Sequence, residues 1–374
     1  MTGAGRYVIE LAKRLPRLSN DFEIHVLLLE GLKSGVVAEI MSDAGAILHY
    51  ANTAVASARQ WVTIPFTLKR IKADLYHYPF LDLPLVPTPA VVTIYDLNPI
   101  ESIEYFGQRG GLKRVVARAM VHSTLRRAKV AIAISDATRA ALARFHPTAQ
   151  DKLRTIHLGV ESARTISSTA NDRACEANQW GERPYVLYVG VDRPHKNLPR
   201  LVKAFERLRA RSGYEAGKGP YLWLAGVGIG SNQLRDQIRQ SKLELDIRLD
   251  GALSEDELER AYRGARLLAY VSTSEGFGLP ILEAFARGVP VLAGDATSLP
   301  EVGGDAALYA NAEDDGAIAE GLERLFNDDV LRRDLVQRGL RRSEAFSWDA
   351  TAVQTMNAYS DAARGWKERE DHRR

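Results

Sequence analysis

Short runs of apolar, often β-branched residues alternate with longer amphipathic segments along most of the chain. The runs are FEIHVLLL (22–29), DLYHY (74–78), AVVTIY (90–95), KVAIAI (129–134), YVLYVG (185–190), YLWLAG (221–226), RLLAYV (266–271) and PVLAG (290–294). Continuous apolar runs of this length are typical of strands buried on both faces. Ser254 and Glu257 have the spacing of a capping box, which predicts a helix start between two of the runs. The pattern therefore predicts an α/β protein in which helices cover both faces of parallel sheets.

A polar segment without periodicity, at 161–183, separates these runs into two halves. Each half has about the size of one doubly wound domain, so the sequence predicts two Rossmann-like lobes facing a central cleft. We expect an N-terminal lobe at 1–165, a linker at 166–183 and a C-terminal lobe at 184–347. The helical pattern at 348–366 is expected to pack back on the N-terminal lobe.

The N-terminus departs from this pattern. The chain begins MTGAGRYVIELAKRL, in which a glycine turn runs directly into an amphipathic helix. A doubly wound domain normally opens with a strand instead. We therefore expect the first strand of the N-terminal lobe to be missing from this sequence, either because it has been lost or because the true start lies upstream.

The composition is that of a folded protein in a reducing compartment. Of the 374 residues, 45% are hydrophobic and 26% are charged, which excludes a disordered chain. The formal net charge of +3 is too small for a nucleic-acid-binding surface, so no nucleic-acid partner is expected. The single cysteine, Cys175, cannot form an intramolecular disulfide or a cysteine-based zinc site. No stretch approaches the roughly 18 apolar residues that cross a bilayer, and we expect a cytoplasmic protein.

One local charge pattern occurs at 109–129, where seven cations follow one another without an acid between them. They are Arg109, Lys113, Arg114, Arg118, Arg126, Arg127 and Lys129. The apolar residues interleaved with them are Val115, Val116, Met120, Val121 and Leu125. Two interpretations fit this pattern. It is either an amphipathic helix that contacts anionic lipid or a polyprenyl-diphosphate acceptor at the inner face of the plasma membrane, or the solvated back of a helix.

The segment 267–294 contains the most informative chemistry, in the order strand, glycine loop, helix, strand. Pro280 is expected at the first helical position, and the loop glycines let backbone amides approach an anion such as a diphosphate. Glu275 enters the loop and Glu283 is expected in the first helical turn, at the sheet edge where open α/β sheets bind ligands. Carboxylates there can accept hydrogen bonds from sugar hydroxyls. The alternative is a helix-end charge and an ordinary loop acid.

Glu275 and Glu283, with seven residues between them in EGFGLPILEA, resemble the E-x7-E signature of retaining family 4 glycosyltransferases of the GT-B fold. Three further segments resemble the same family, namely GAGRYVIEL (3–11), LRTIHLGV (153–160) and YVGVDRPHKNLPRLVKAF (188–205). The resemblance covers nearly the whole chain. It implies an acceptor-binding N-terminal lobe and a C-terminal lobe that binds a nucleotide diphosphate sugar.

The resemblance also implies roles for individual residues. Glu275 would contact the donor sugar, Glu283 would hold the ribose, and Lys196 would neutralise the departing diphosphate. Backbone groups would surround the sugar and diphosphate at Gly276, Phe277, Gly278 and Leu279. Ala252 and Leu253 would lie beside the nucleotide base. For Lys196 the alternative is a solvated lysine near a helix start.

On the donor side, the chain departs from the family's pattern at one position. Val191 follows the glycine of YVG, where family members usually carry an arginine. Either Arg193 or His195 substitutes for that arginine, or Lys196 carries most of the diphosphate's charge.

The same resemblance places the acceptor side in the N-terminal lobe. A strand that often ends in His-Asp ends here in Tyr95-Asp96, which makes Tyr95 a candidate catalytic residue. Tyrosine can hydrogen-bond a sugar, but its ordinary pKa of about 10 makes it a poor proton shuttle at neutral pH. The acceptor-side candidates are Gly3, Gly5, Arg6, His77 and Asp96. An ordinary strand-end tyrosine and a core or capping histidine are the alternatives for Tyr95 and His77.

No metal or other cofactor is expected. The sequence contains no Asp-x-Asp, and His25, His49 and His157, which are expected in strands, lack metal-ligand spacing. In the mechanism that the resemblance implies, the leaving diphosphate stays on the face that the acceptor hydroxyl attacks and helps to accept its proton. No protein nucleophile is then required.

The predicted function is transfer of a hexose from a nucleotide diphosphate sugar to a glycan or lipid-linked oligosaccharide in cell-surface polysaccharide synthesis. The similarity of PHKN (194–197) to bacterial polysaccharide mannosyltransferases favours GDP-mannose as the donor. One alternative is a sugar-nucleotide-binding relative with little or no activity. The other is a dinucleotide oxidoreductase, because GVGIG (226–230) follows a strand, although the third glycine of G-x-G-x-x-G would fall at Ser231.

Overall fold

The computed structural model describes residues 3–18, 22–33, 35–52, 57–101, 111–161, 183–228 and 231–371. The chain forms two compact units. Unit 1 comprises Met1–Gly159 and Trp348–Arg374, and unit 2 comprises Val160–Ser347. The predicted limit at 165 and nearly all of the linker at 166–183, with Cys175, lie outside the described residues.

Helices and strands alternate through both units. The helices are α1 (Gly3–Leu18), α2 (Val36–Asp43), α3 (Gln60–Arg70), α4 (Asn98–Glu101), α5 (Gly111–Arg127), α6 (Asp136–Phe145), α7 (Leu198–Ser212), α8 (Asn232–Gln240), α9 (Glu255–Gly264), α10 (Leu279–Phe285), α11 (Leu299–Gly303), α12 (Asp315–Asn327), α13 (Asp329–Glu344) and α14 (Trp348–Asp371). The strands are β1 (His25–Leu29), β2 (Ile47–Ala51), β3 (Tyr76–Tyr78), β4 (Ala90–Ile94), β5 (Val130–Ala133), β6 (Leu153–Thr155), β7 (Tyr185–Val189), β8 (Tyr221–Ala225), β9 (Ile247–Asp250), β10 (Leu267–Tyr270), β11 (Val291–Gly294) and β12 (Ala307–Ala310). Each of the eight predicted apolar runs contains a strand, which confirms the α/β class.

In unit 1 the described strands form two parallel sheets. One has the order β1-β2 and the other has the order β3-β4-β5-β6. In a doubly wound sheet of order 3-2-1-4-5-6 the first strand lies in the middle, between the two groups of later strands. The missing first strand itself stays a prediction.

The core of unit 1 lies around the central strands of the larger sheet. Val91, Val92 and Ile94 of β4 and Ile132 of β5 are fully buried, as a parallel sheet covered on both faces requires. Helix α14 packs against α1, where Arg14 pairs with Asp349 at 2.7 Å. The C-terminal helix is therefore part of the N-terminal unit.

The expected glycine turn at the N-terminus is wrong. Gly3 and Gly5 lie in the first turn of α1, which is helical from Gly3 onward. Glycine weakens a helix by roughly 1 kcal/mol relative to alanine. The apolar stripe of α1 compensates, because it buries Tyr7, Leu11 and Leu15.

Unit 2 contains one six-stranded parallel sheet of order β12-β11-β10-β7-β8-β9. Chain order runs from β7 outward through β8 and β9, and then returns to β10 on the other side of β7. The pair β7–β10, in which Leu267 aligns with Val186, is therefore the point where the order reverses. In open α/β sheets, ligands bind beyond the carboxyl ends of the strands at such a reversal point.

Three local predictions also need correction. His157 follows β6 and is not in a strand, since pairing with β5 ends at Thr155. Pro280 is the second residue of α10 rather than the first, and Glu283 is the fifth, so that it lies one residue beyond the first helical turn. None of the described helices is long and apolar enough to cross a membrane.

Candidate active site

Two loops meet at the carboxyl ends of β7 and β10. The first loop runs from Gly190 to Asn197 and contains a short 3₁₀ turn at Pro194–Lys196. The second runs from Val271 to Gly278 and carries Glu275. Because β7 and β10 are hydrogen-bonded neighbours, the topology brings together residues about 80 positions apart in sequence.

Asn197 fixes the end of the first loop. Its backbone is left-handed, with φ of 62°, a conformation that asparagine adopts more readily than most residues. Its buried amide donates hydrogen bonds to the carbonyl oxygens of Val271, at 2.9 Å, and Ala312, at 2.6 Å. One side chain thus ties this turn to the end of β10 and to the loop that follows β12.

A second connection joins the loops directly. The backbone amide of Thr273 donates to the carbonyl oxygen of His195 at 2.9 Å. Together with Asn197, this bond leaves Lys196 on a short turn that is fastened on both sides. The backbone from which the Lys196 side chain extends is therefore held in place.

The side chains of Lys196 and Glu275 form an ion pair. Lys196 Nζ lies 2.7 Å from Glu275 Oε1 and 2.7 Å from the hydroxyl oxygen of Tyr270. The side chains of Lys196 and Glu275 are only 14% and 10% exposed, so solvent screens the pair weakly. The structure thus brings together two of the residues predicted from the sequence and adds Tyr270, which the sequence analysis did not select.

The backbone around Glu275 is held by the loop before α11. Thr297 Oγ1 accepts from the Glu275 amide at 2.9 Å, and Ser298 Oγ lies 2.9 Å from the carbonyl oxygens of both Glu275 and Phe277. The Phe277 side chain is buried and packs edge-on against Phe346. Phe277 can therefore offer a ligand its backbone but not its ring.

Gly278 occupies a position that only glycine fits without strain. Its φ is 113°, and a Cβ atom there would lie 2.9 Å from a methyl group of Leu299. The sharp turn starts α10 at Leu279. Loop and helix are consequently joined with no space for a side chain between them.

Glu283 is nearly buried, at 6% exposure. Its Oε2 accepts a hydrogen bond of 2.8 Å from the hydroxyl of Tyr262 on α9. This bond orients the carboxylate, and a carboxylate can accept several hydrogen bonds at once.

The loop after β9 carries the remaining predicted donor-side residues. Ala252 is exposed and Leu253 is partly exposed in this loop, which ends where Ser254 begins α9 with the predicted capping box. At its start, Asp250 accepts from Trp223 Nε1 at 2.9 Å and from Arg248 at 2.8 Å. These bonds anchor the loop to β8 and β9 rather than leaving Asp250 free.

Val191 leaves the first loop without the usual arginine. Its side chain is 55% exposed. Burial lowers the pKa of His195 below its ordinary 6.5, so this histidine is neutral at pH 7. Arg193, the other predicted substitute, is exposed on the same loop.

In unit 1, several polar side chains meet at the ends of β3 and β4. His77 lies between Tyr359 of α14, at 2.6 Å, and Thr93 Oγ1, at 2.7 Å. Tyr7 also contacts Thr93, at 3.0 Å. Burial lowers the pKa of His77 to about 3, so it remains neutral at physiological pH. His77 thus joins α14 to the sheet, which agrees with the core interpretation.

Tyr95 and Asp96 follow the end of β4. The Tyr95 ring packs edge-on against Tyr7, and its buried hydroxyl has no hydrogen-bond partner among the described residues. Burial raises the pKa of Tyr95 well above 10, which keeps the hydroxyl protonated. Asp96 caps a turn by accepting from the Asn98 amide at 2.9 Å. Arg6 lies on the first turn of α1, next to the buried Tyr7.

Comparison with known proteins decides the family. The family model described as "Glycosyltransferase Family 4" matches residues 1–164, and "Glycosyl transferases group 1" matches 172–342. The chain is 32% identical over 383 residues to O-antigen chain mannosyltransferase B of Escherichia coli, covering 96% of both chains. The chain belongs to glycosyltransferase family 4. A further relative, D-inositol 3-phosphate glycosyltransferase of Corynebacterium glutamicum, is 31% identical over 53% of this chain and 49% of its own length.

Solved glycosyltransferase structures have the same fold. HepE from Anabaena, in complex with UDP and glucose, aligns with a TM-score of 0.74 at 18% identity, covering 96% of each chain. WaaG, a glycosyltransferase involved in lipopolysaccharide biosynthesis, aligns with a TM-score of 0.72 at 14% identity over the same share of each chain. The two-lobed GT-B fold class is confirmed.

The family assignment removes the oxidoreductase alternative. This protein is a glycosyltransferase. Gly226, from the suspected dinucleotide motif, has a packing role. Its φ is 88°, and a Cβ atom there would lie 2.8 Å from the carbonyl oxygen of Gly190.

Proposed function

We propose that this glycosyltransferase transfers mannose from GDP-mannose, with retention of configuration, to a glycan or lipid-linked acceptor in cell-surface polysaccharide synthesis. The observation that carries this proposal is the Lys196–Glu275 pair at the strand-order reversal of unit 2. The sugar and the pathway are inferred from the E. coli relative, which is named an O-antigen chain mannosyltransferase.

In the proposed donor site, each charged side chain binds a different part of the nucleotide sugar. Lys196 moves from Glu275 to the diphosphate, because a dianion attracts the ammonium more strongly than one carboxylate does. Glu275 then accepts a hydrogen bond from a sugar hydroxyl. Glu283, held by Tyr262, accepts hydrogen bonds from the ribose. Arg193 adds a second positive charge in place of the arginine that Val191 replaces.

In the proposed reaction, the bond between the anomeric carbon and the diphosphate oxygen breaks as the acceptor hydroxyl forms a bond on the same face. The proton of that hydroxyl passes to the leaving diphosphate oxygen, so no protein base is required. Negative charge on the diphosphate grows as this happens, and Lys196 stabilises it most in the transition state. We propose that the reaction needs no metal.

The proposed acceptor side lies in unit 1. We propose Tyr95 as the acceptor-binding group: its hydroxyl has no hydrogen-bond partner within the described part of the chain, and its raised pKa suits it to donate a hydrogen bond rather than to remove a proton. Gly3, Gly5, Arg6 and Asp96 remain acceptor-side candidates. His77 is assigned to the packing of α14 rather than to the acceptor.

Lys196→Met tests the proposal. The variant keeps most of the stem's packing and removes the charge, so kcat with saturating sugar nucleotide should fall by roughly 10²–10³, the scale of removing one preorganised oxyanion donor. The control is Lys203→Met, which removes a 57%-exposed lysine on α7 of the same unit. A rise in KM with unchanged kcat would assign Lys196 to uniform substrate binding and contradict the proposal.

The donor is tested by thermal-shift measurements with GDP-, UDP- and dTDP-sugars. A ligand at 100 times its dissociation constant adds about 2.7 kcal/mol of stability. GDP-mannose should raise the melting temperature most. A larger shift with a UDP-sugar would overturn the choice of donor and leave the reaction class intact.

We also propose that α5 contacts an anionic membrane. Leu112, Val115 and Val116 are 78%, 63% and 49% exposed on its first turns, beside the exposed Lys113 and Arg118. The expected patch is smaller than the sequence indicated. Val121 and Leu125 are buried in the core, Arg127 donates to carbonyl oxygens before α5, and Arg109 lies outside the described residues.

Vesicle sedimentation tests this contact. Wild-type protein should bind vesicles that contain anionic lipid and not purely zwitterionic vesicles, since the attraction is partly electrostatic. Val115→Ser should weaken binding, whereas Val330→Ser, a valine with 69% exposure in unit 2, should not. Equal binding by both variants would assign α5 to solvent.

A further inference from the structure

Tyr270 contacts both members of the buried ion pair. Its hydroxyl oxygen accepts from Lys196 Nζ at 2.7 Å, and its hydroxyl is also hydrogen-bonded to Glu275. Burial is the main cause that raises the pKa of Tyr270 well above 10, and the negative charge of Glu275 is the second. The hydroxyl therefore keeps its proton, accepts from the ammonium and donates to the carboxylate. The three side chains form a closed triangle.

The Tyr270 ring is more deeply buried than either charged side chain. Tyr270 is the last residue of β10, is 2% exposed, and stacks on Tyr188 of β7 with ring centroids 6.2 Å apart. Lys196 Nζ lies 5.1 Å from the Tyr270 ring centroid, within the range of a cation–π contact. The packed ring therefore fixes the position of the hydroxyl that the flexible lysine side chain contacts.

The pair must separate for a donor to bind as proposed. Lys196 and Glu275 neutralise each other at 2.7 Å, and a diphosphate has to take the place of Glu275 at the ammonium. An ammonium has three N–H donors. One can move from Glu275 to the diphosphate while another stays on Tyr270, whose hydroxyl can still donate to Glu275.

We propose that Tyr270 is a positioning residue that holds Lys196 at its working position after the diphosphate has separated the lysine from Glu275. This inference rests on the proposed role of Lys196. Without the hydroxyl, the Lys196 ammonium has no uncharged hydrogen-bond partner at this position. It then either stays paired with Glu275 or is mobile in solvent. Transition-state stabilisation then weakens more than donor binding does.

Tyr270→Phe removes the anchor and keeps the ring. We expect kcat to fall about tenfold, equivalent to about 1.4 kcal/mol, with little change in the donor KM. The matched control is Tyr185→Phe, which removes a buried hydroxyl of the same sheet that donates to the Ala261 carbonyl at 2.8 Å. That variant loses a comparable hydrogen bond but should retain wild-type kcat. Full activity of Tyr270→Phe would overturn the inference.

A double-mutant cycle decides whether Tyr270 acts through Lys196. If it does, Tyr270→Phe combined with Lys196→Met has the kcat of Lys196→Met alone, within about twofold, because the anchored group is already absent. A further tenfold loss in the double variant would mean an independent role and would overturn the inference. If Lys196→Met itself keeps full kcat, the proposed function of the lysine fails instead, so the two failures are distinguishable.

A fluorinated tyrosine covers the case in which Tyr270→Phe does not fold. Difluorotyrosine at position 270 keeps the ring and the hydroxyl but makes the oxygen a weaker acceptor for the ammonium. We expect a kcat between those of wild type and Lys196→Met, with unchanged nucleotide affinity. Wild-type kcat in this variant would contradict the inference.

Discussion

Asn197 provides the sharpest test of how the turn that carries Lys196 is held. Its side chain is buried at 6% exposure, and its amide donates to the Val271 and Ala312 carbonyl oxygens. Replacement by alanine removes both bonds, and also the 3.0 Å bond from Arg200 to Asn197 Oδ1, although Arg200 keeps its bond to the Ala312 carbonyl oxygen. Each buried hydrogen bond contributes about 0.5–1.5 kcal/mol, so the loss amounts to about 1–3 kcal/mol.

The backbone of Asn197 adds a second contribution. With φ at 62°, alanine would be held in a left-handed conformation that costs about 1–2 kcal/mol. Asn197→Ala should therefore destabilise the protein by about 2–5 kcal/mol in total. Asn197→Gly loses the same hydrogen bonds without the backbone strain, and its more flexible unfolded chain offsets part of that advantage. It should be more stable than the alanine variant by about 1 kcal/mol.

Equilibrium urea unfolding measures these differences, and steady-state kinetics measures their effect on Lys196. The control is Lys242→Ala, at an exposed residue of unit 2 with φ of 55°, which should change stability by less than about 0.5 kcal/mol. We expect kcat to fall in both Asn197 variants. If Asn197→Ala were as stable as the Lys242→Ala control, or if it kept wild-type kcat, the turn would not be held as described.

Three further predictions concern the nucleotide, acid stability and metals. Glu283→Gln should weaken nucleotide binding by about 1.5–3 kcal/mol in calorimetry. Tyr262→Phe, which removes only the hydrogen-bond partner of the carboxylate, should have a smaller effect. Unchanged affinity of Glu283→Gln would make Glu283 a helix-end charge. The pKa of His77 is lowered to about 3, so the unfolded chain binds a proton that the folded chain does not, and stability falls as the pH drops below about 6.5. Between pH 7 and pH 5, the free energy of unfolding of His77→Gln should fall by about 2 kcal/mol less than that of the wild type, as measured by urea unfolding. The same pH dependence in both proteins would contradict the lowered pKa of His77. Activity should survive EDTA, whereas a loss that Mg²⁺ or Mn²⁺ reverses would overturn metal independence.

Local patterns were enough to predict most of the secondary structure around the site. The run RLLAYV, the glycines of the 275–278 loop and Pro280 predicted the order of β10, loop and α10. The capping box at Ser254 predicted the start of α9, which the structure confirms. Strand periodicity, caps and glycine conformations depend on neighbouring residues, so they are visible without a structure.

Strands with short or mixed patterns were harder to predict. The strands β9 and β12 were not predicted from their sequence. The strand β9, for example, has only four residues and includes the charged residues Arg248 and Asp250. It accommodates them because Trp223 of the neighbouring strand β8 lies under the Arg248 guanidinium and donates a hydrogen bond to Asp250. Its strand character thus depends on a cross-strand partner rather than on its own periodicity.

The α/β class, the two halves of the chain and the Glu275–Glu283 motif could all be predicted from local sequence. Which polar groups become partners depends on the tertiary fold. Lys196 meets Tyr270 and Glu275 because β7 and β10 pair, and His77 meets Tyr359, 282 positions away, because α14 packs on unit 1. The physical reason is that such contacts depend on strand order and helix packing, which summed burial and hydrogen bonding over the whole unit select. No local stretch of sequence contains that information.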